Sequence, residues 1–143
     1  MAVDNTRILI VDDSPGVCDL LCEFLENTYQ VQTAEDGNQA LKVYASYQPD
    51  IILLDMHMPK MGGLDVISHL RNERQDQEVY ILVITAETSF QLKKESLEQG
   101  ANDYLIRPYH SEELLARVRV AERQIKLRKQ LKAAYQNIER EIE

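Results

Sequence analysis

Four short segments of the chain consist almost entirely of apolar residues. They are RILIV (7–11), IILL (51–54), VYILVI (79–84) and DYLI (103–106). Continuous apolar, β-branched runs of this length are typical of parallel strands that are covered on both faces. A fifth segment, YQVQTA (29–34), alternates apolar and polar residues, which also predicts a strand.

Between these segments the apolar residues recur at helical spacing. The first predicted helix begins after Ser14, a favourable N-cap, with Pro15 at the first helical position. The others run from Gly37 to Tyr47, from Leu64 onward, from Phe90 to Gln99 and beyond Ser111. Strands and helices that alternate with short connections predict an α/β fold, doubly wound, with helices on both faces of a parallel sheet. Right-handed crossovers would then bring the carboxyl ends of all strands to one edge, where ligands of such sheets bind.

Polar side chains stand at the carboxyl ends of four of these strands. Asp12 and Asp13 follow the first strand, Asp55 the third, Thr85 the fourth and Arg107 the fifth. Clustered carboxylates repel one another unless a cation neutralises them, and oxygen ligands alone favour Mg²⁺ or its relatives over Zn²⁺. A hydroxyl and a cation beside them are suited to holding phosphoryl oxygens.

Charge and composition narrow the function classes. The chain has 143 residues, enough for one domain, and a net charge of −8. Residues 112–143 hold eight Lys or Arg and six Glu, a net charge of +2, so residues 1–111 carry −10. An acidic body argues against direct nucleic-acid binding. No apolar run is long enough for a membrane helix, and we expect a cytoplasmic protein.

The two cysteines do not add a candidate site. Cys18 and Cys22 are four residues apart in a predicted helix, and no further Cys or suitably spaced His completes a metal site. We interpret them as buried thiols on one helix face.

The strand-end motifs together resemble the receiver domain of two-component response regulators. The matching segments are LIVDDS (9–14), ILLDMHMPKMGG (52–63), VITA (83–86) and GANDYLIRPY (100–109), and the resemblance covers roughly residues 6 to 120. It implies a flavodoxin-like, five-stranded parallel sheet in the order 2-1-3-4-5. It also implies a phosphorylated regulatory domain rather than an enzyme, in which Asp55 accepts a phosphoryl group from a histidine kinase or a histidine phosphotransfer protein.

The same resemblance assigns roles to the other strand-end residues. Asp12, Asp13 and Asp55 would bind Mg²⁺, or Mn²⁺, together with the backbone carbonyl of His57. Thr85 corresponds to the switch hydroxyl. Tyr104 corresponds to the switch aromatic. His57 and Glu87 would flank the mouth of the site and affect hydrolysis of the acyl phosphate. Thr85 would move toward the new oxygens, which leaves space into which Tyr104 can turn and changes an interaction surface.

Arg107 is the clear departure from the family, which usually has lysine at this position. Arginine is a planar, permanently charged fork, whereas lysine is a compact charge on a flexible stem. Arg107 can still contact the phosphoryl group or Asp55, and a cis bond to Pro108, frequent in the family, would direct it into the site. The alternative is a pseudo-receiver, an interaction module that works without phosphorylation. Acetyl phosphate with Mg²⁺ separates the two hypotheses.

Two other classes fit less well. A haloacid-dehalogenase-like phosphatase needs a second acid two residues after the nucleophile, where this chain has His57. A flavodoxin-like cofactor binder would need a phosphate-cradling loop after the first strand, where DDSPG presents carboxylates.

The last helical segment continues beyond the usual end of a receiver. We predict a receiver domain over residues 1–122 and a helical linker or the start of a coiled coil over 123–143. The linker would lead toward an output domain that this sequence does not contain, such as a diguanylate cyclase or a PP2C-type phosphatase. One apolar stripe would pack on the sheet (Leu114, Val118, Ala121 and Ile125), and a second would be free to form a homodimer (Leu131, Tyr135, Ile138 and Ile142).

Overall fold

The computed structural model of the chain describes residues 5–86 and 88–142. Five strands form one sheet in the order β2-β1-β3-β4-β5, and all neighbouring strands are parallel. The strands are β1 (Arg7–Val11), β2 (Gln30–Ala34), β3 (Ile51–Leu54), β4 (Tyr80–Thr85) and β5 (Asp103–Ile106). The predicted α/β fold and strand order are confirmed.

Five helices flank the sheet. They are α1 (Pro15–Leu25), α2 (Gly37–Tyr47), α3 (Gly63–Ser68), α4 (Phe90–Gln99) and α5 (Ser111–Ile142). α3 continues without interruption into one π-helical turn, His69–Glu73, which the residue periodicity did not indicate. The predicted strand over 79–84 lies one residue further along, so that Thr85 is the last residue of β4.

The core consists of two apolar clusters, one on each face of the sheet. Ile8, Ile10 and Leu53 pack on one face with α1 and α5, whereas Leu9 and Ile52 pack on the other with α2 and α3. Successive residues of a strand point to opposite faces, which explains why the central strands are apolar at every position. Burial of each such side chain stabilises the fold by about 1.5–3 kcal/mol.

The sheet register brings the ends of β1 and β3 together. Val11 is paired with Leu54, and the backbone N–H of Asp55 donates to the carbonyl of Val11 at 2.9 Å. β4 and β5 end together in the same way, since the N–H of Arg107 donates to the carbonyl of Thr85 at 2.8 Å. The predicted strand-end residues therefore meet at one edge, which we call the carboxyl edge.

α5 packs on the sheet in its first half and leaves it in its second. Val118 and Ile125 are among its buried residues. Arg128 donates to the carbonyls of Gln77 and Glu78 at 3.2 and 2.8 Å. Contacts with the domain body thus continue past residue 122, and the helix is exposed from residue 126 onward. Within the described residues, no helix combines the length and the apolar character needed to cross a bilayer.

Candidate functional site

Three carboxylates converge at the carboxyl edge. One oxygen each of Asp12, Asp13 and Asp55 lies within 4.8 Å of the others. Asp12 and Asp55 are buried, whereas Asp13 is exposed, so the cluster opens to solvent on the Asp13 side. Oxygen atoms at this spacing from two adjacent strand ends are ligands of the kind that Mg²⁺ prefers.

Local hydrogen bonds hold Asp12 in place. Its Oδ1 accepts from the backbone N–H of Ser14 at 2.9 Å, which tightens the turn into α1. Ser14 Oγ in turn accepts from the N–H of Val17 at 3.4 Å, as predicted for an N-cap. The Cys18 thiol donates to the carbonyl of Asp12 at 3.4 Å. The start of α1 therefore fixes the carboxylate rather than leaving it free to move toward solvent.

The electrostatic environment of Asp55 is unfavourable to its charge. Burial raises the pKa of Asp55, and the neighbouring charges of Asp12 and Asp13 raise it further. The hydrogen bond from the His57 N–H, at 3.3 Å, and the charge of Arg107 lower the pKa without cancelling the rise. A bound cation would relieve this excess of negative charge, so the three carboxylates fit a divalent metal ion.

Arg107 contacts Asp12 in this structure. Its Nη2 donates to Asp12 Oδ2 at 2.7 Å, and the two side chains are 26% and 4% exposed. The sequence predicted a contact with Asp55 or with its phosphoryl group. Arg107 acts on Asp55 here through its charge. The Arg107–Pro108 peptide bond is cis, as the resemblance implied.

The two predicted switch residues are both buried. Thr85 is fully buried at the end of β4. Tyr104 is 5% exposed and belongs to the apolar cluster on the α2 and α3 face. Tyr104 is thus buried before any movement of Thr85, and the switch roles of both residues stay predictions.

The two predicted residues at the mouth of the site have different outcomes. His57 is exposed beside Asp55, and its backbone N–H is the group that contacts the carboxylate. Glu87 lies outside the described residues, so its predicted role stays a prediction.

An apolar groove beside the cluster was not predicted from the sequence. Its volume is about 520 Å³, and two of its lining residues, Arg107 and Ala86, lie at the carboxyl edge. Its other lining residues come from α1 and from the start of α5: Val17, Leu20, Leu21, Phe24, Pro108, Tyr109 and Ser111. Leu20 and Phe24 are exposed. The signal in the sequence that could have indicated their exposure is that α1 has more apolar residues than one buried face needs.

The two cysteine thiols are not among the three clustered ligand groups, and the Cys18 thiol contacts the backbone carbonyl of Asp12. Cys18 is buried and Cys22 half-buried, and both are free thiols. Burial, with the charge of Asp12, raises the pKa of Cys18 to about 11, so the thiol stays protonated at neutral pH.

Comparisons with known proteins agree on one family. The response regulator receiver domain family matches residues 8–119. The chain is 41% identical over 114 residues to the DNA-binding dual master transcriptional regulator RpaA of a Synechocystis strain, which covers 79% of this chain and 47% of RpaA. It is 44% identical over 124 residues to the response regulator MprA of Mycobacterium ulcerans, covering 86% of this chain and 53% of MprA. The chain thus spans about half the length of these relatives.

The structural comparison gives the same result. The chemotaxis protein CheY4 of Vibrio cholerae superposes with a TM-score of 0.77 at 32% identity, over 82% of this chain and 99% of CheY4. This likeness agrees with the strand order that the resemblance implied. The chain belongs to the response regulator receiver domain family.

Proposed function

We propose that the chain is a phosphoacceptor receiver in which Asp55 takes a phosphoryl group from a histidine kinase or a histidine phosphotransfer protein. The observation that carries the proposal is the convergence of Asp12, Asp13 and Asp55, with oxygens within 4.8 Å, at the open edge of a receiver sheet. Asp55 is the member of the cluster that stands at the end of the central strand β3.

The transfer is a nucleophilic displacement at phosphorus. A carboxylate oxygen of Asp55 forms the new P–O bond, the P–N bond of the donor phosphohistidine breaks, and the imidazole leaves with the electron pair and takes up a proton. The product is an acyl phosphate on Asp55. The chain would support both its own phosphorylation and the later hydrolysis.

Asp12, Asp13, Asp55 and the backbone carbonyl of His57 would hold Mg²⁺ or Mn²⁺. When bound, the cation supplies positive charge that offsets the charge of the carboxylate and of the phosphoryl oxygens. Thr85 would donate to one phosphoryl oxygen and Arg107 to another. The raised pKa of Asp55 supports this assignment, because burial and the charges of Asp12 and Asp13 disfavour its ionised form, which a cation would favour.

A change around Thr85 and Tyr104 would transmit the signal to an interaction surface. Since Tyr104 is already buried, we expect that the change lies in how the β4 and β5 ends contact Thr85 rather than in a large rotation of the ring. The surface that responds would be the face formed by α4 and β5. This is a local charge event that biases a two-state element.

The test of the proposal is phosphorylation by a small-molecule donor. Incubation with acetyl phosphate and Mg²⁺ should give an adduct of about 80 Da in the intact mass, the mass of one phosphoryl group. Asp55→Asn should abolish the adduct. Asp50→Asn, at the other end of the same strand, should retain it. Failure of the wild-type chain to form the adduct would overturn the proposal.

The same experiment decides for or against the second candidate, a pseudo-receiver that acts by protein contact alone. The observation in its favour is the Arg107–Asp12 ion pair, which neutralises part of the cluster without a phosphoryl group. An intact, folded chain that forms no adduct would support it.

The apolar groove beside the cluster fits the docking of the donor protein. A donor imidazole must come close to Asp55, so the donor has to cover the surface next to the carboxyl edge, and the groove shares Arg107 and Ala86 with that edge. Leu20→Asp should slow transfer from a phosphorylated protein donor but leave the acetyl phosphate reaction unchanged. Leu97→Asp, an exposed leucine on α4, is the matched control. Equal slowing with both donors would contradict the docking role.

The exposed part of α5 is proposed as a linker that pairs with a second copy. Leu131, Tyr135, Ile138 and Ile142 are exposed and lie on one helix face at 4-3-4 spacing. We expect a dimer in sedimentation velocity and a monomer for the double variant Leu131→Lys and Ile138→Lys. Ala133→Lys with Gln136→Lys adds the same charge on the opposite face and should not change the mass. A monomeric wild-type chain would contradict this proposal.

A further inference from the structure

The ion pair between Arg107 and Asp12 uses a group that the cation site also needs. Among the ion pairs of residues 5–86 and 88–142, this one alone involves any of the three clustered carboxylates. Asp12 is nearly inaccessible, and both of its oxygens have donors, Ser14 N–H on Oδ1 and Arg107 on Oδ2. A metal ion that used Asp12 as a ligand would therefore share this carboxylate with the guanidinium.

The guanidinium is held in this position from a second side. Tyr109 follows the cis Arg107–Pro108 bond and packs at the rim of the α1 and α5 core. Burial raises the pKa of Tyr109, while the charge of Arg107 and a side-chain hydrogen bond with it act in the opposite direction. Arg107 thus interacts with both Asp12 and Tyr109.

A guanidinium cannot give up its charge to make room for a second cation. Arginine stays protonated at every accessible pH, and its positive charge repels a divalent ion placed on the same carboxylate. Binding of both cations to Asp12 is therefore opposed by their mutual repulsion, which is relieved when the guanidinium turns away from Asp12 Oδ2. Its side chain is about a quarter exposed, so it has solvent on one side into which it can turn.

We propose that Arg107 is a resident counter-ion of Asp12 that competes with the divalent cation, so that metal binding releases the guanidinium toward Asp55. The inference rests on the proposed function, because it takes the three carboxylates as the cation site. It goes beyond that function in assigning Arg107 two successive partners, Asp12 before the cation binds and the phosphoryl group on Asp55 afterwards. Arg107 therefore lowers the affinity for the metal, and metal binding moves its guanidinium toward Asp55.

The competition predicts that removal of the guanidinium strengthens cation binding. Isothermal titration of the unphosphorylated chain with Mn²⁺ should show binding that is about tenfold tighter in Arg107→Gln than in the wild type, within the usual range of coupling between two sites. Tyr109→Phe, which removes the second partner but retains the ring, should change the affinity in the same direction and by less. Arg117→Gln removes a guanidinium that pairs with Asp103 at 2.8 Å away from the cluster, and should leave the affinity unchanged.

A second measurement follows the guanidinium itself. In a nitrogen–proton NMR spectrum, Mg²⁺ should shift the Arg107 Nε–H signal, assigned by its loss in Arg107→Gln, but not the Arg117 signal. A merely structural role of Arg107 would not produce this selective shift.

The outcomes separate this inference from the proposed function. Equal or weaker Mn²⁺ binding in Arg107→Gln would overturn the competition, whereas formation of the acetyl phosphate adduct on Asp55 would still support the phosphoacceptor. Absence of cation binding in both proteins would overturn the competition as well, and the adduct experiment would then report separately on Asp55.

Discussion

Two buried polar clusters lie at opposite edges of the same sheet, and they treat their charges in opposite ways. At the carboxyl edge, Asp55 is surrounded by like charges and its pKa is raised. At the amino edge, where strands begin, Arg71 and Asp76 are surrounded by complementary hydrogen-bonding groups, and the pKa of Asp76 is lowered. In the first cluster, repulsion between carboxylates remains beside the Arg107–Asp12 ion pair, whereas the hydrogen-bonding groups of the second are almost fully paired.

The amino-edge cluster is built around Arg71. Its guanidinium donates to the carbonyl of Gly100 at 3.1 and 2.8 Å, to the carbonyl of Asp76 at 2.8 Å and to Asn102 Oδ1 at 2.9 Å. Gly100 has a φ of +124°, and a Cβ there would lie 2.7 Å from Arg71 Cγ. Only glycine allows this close approach, so the end of α4 and the side chain of Arg71 fit one another.

The contrast shows how a receiver separates stability from function. Hydrogen bonds that satisfy every buried polar atom stabilise one arrangement of the chain. At the amino edge, such bonds connect the π-helical turn to the starts of β4 and β5. Clustered carboxylates cost stability, and a cation placed among them would neutralise their repulsion. The carboxyl edge is where ligands of such sheets bind.

The largest expected effect comes from breaking the amino-edge cluster. Arg71→Met keeps most of the side-chain volume but leaves two partly buried carbonyls without this donor, at about 1–3 kcal/mol for each such group. We expect the free energy of unfolding in urea to fall by about 3 kcal/mol. Arg74→Met is the control, because Arg74 is exposed and lies over the Tyr44 ring at 5.8 Å, a contact worth about 0.5–1 kcal/mol. Equal losses in both variants would contradict the comparison.

A smaller effect, with a defined pH dependence, is expected from Asp76→Asn. Burial raises the pKa of Asp76, but hydrogen bonds from Tyr44 and from the backbone N–H groups of Val79 and Glu78 lower it more. A carboxylate whose folded pKa lies below its ordinary 3.8 stabilises the fold above that pH and loses the contribution as pH falls through the folded pKa. We expect a loss of about 1–2 kcal/mol at pH 7 that shrinks in acid, measured by urea unfolding across pH. A loss that is constant with pH would contradict it.

The sequence predicted the carboxyl edge better than the amino edge, for a physical reason. Asp12, Asp55 and Arg107 directly follow apolar strands, and a parallel sheet brings all strand ends together, so their convergence required only the strand order. Arg71 stands within a helical pattern, and most of its hydrogen bonds go to backbone carbonyls, which no residue type reveals. Its burial depends on a π-helical turn and on a glycine 29 residues away.

At the site itself, the sequence predicted which residues meet but not how they pair. Asp12 and Asp55 are equivalent partners for Arg107 in a sequence, and the choice depends on the turn into α1, where Ser14 N–H orients the Asp12 carboxylate. The inward position of Tyr104 likewise depends on space between β4 and the helices on its face. Such details follow from packing rather than from residue pattern.

The smallest expected effect is a gain in stability when Asp55 is replaced, opposite in sign to the loss expected when Asp76 is replaced. Burial and the charges of Asp12 and Asp13 raise the pKa of Asp55, so its ionisation opposes folding increasingly as pH rises from its ordinary 3.8 through the folded pKa. Asp55→Asn removes that charge. With divalent cations removed by a chelator, we expect it to stabilise the chain at pH 7 by about 1 kcal/mol, the repulsion of two charges about 4 Å apart in water.

The pH profile of this gain decides the point. Below the ordinary pKa, both chains carry a neutral group at residue 55, and their free energies of unfolding should agree. With Mg²⁺ in excess the order should reverse at pH 7, because the ion stabilises the wild-type carboxylate cluster and binds less tightly to the amide. If Asp55→Asn is less stable than the wild type in the chelator, the polar groups of the carboxyl edge are as well paired as those of the amino edge. The proposed contrast between the two edges would then be wrong.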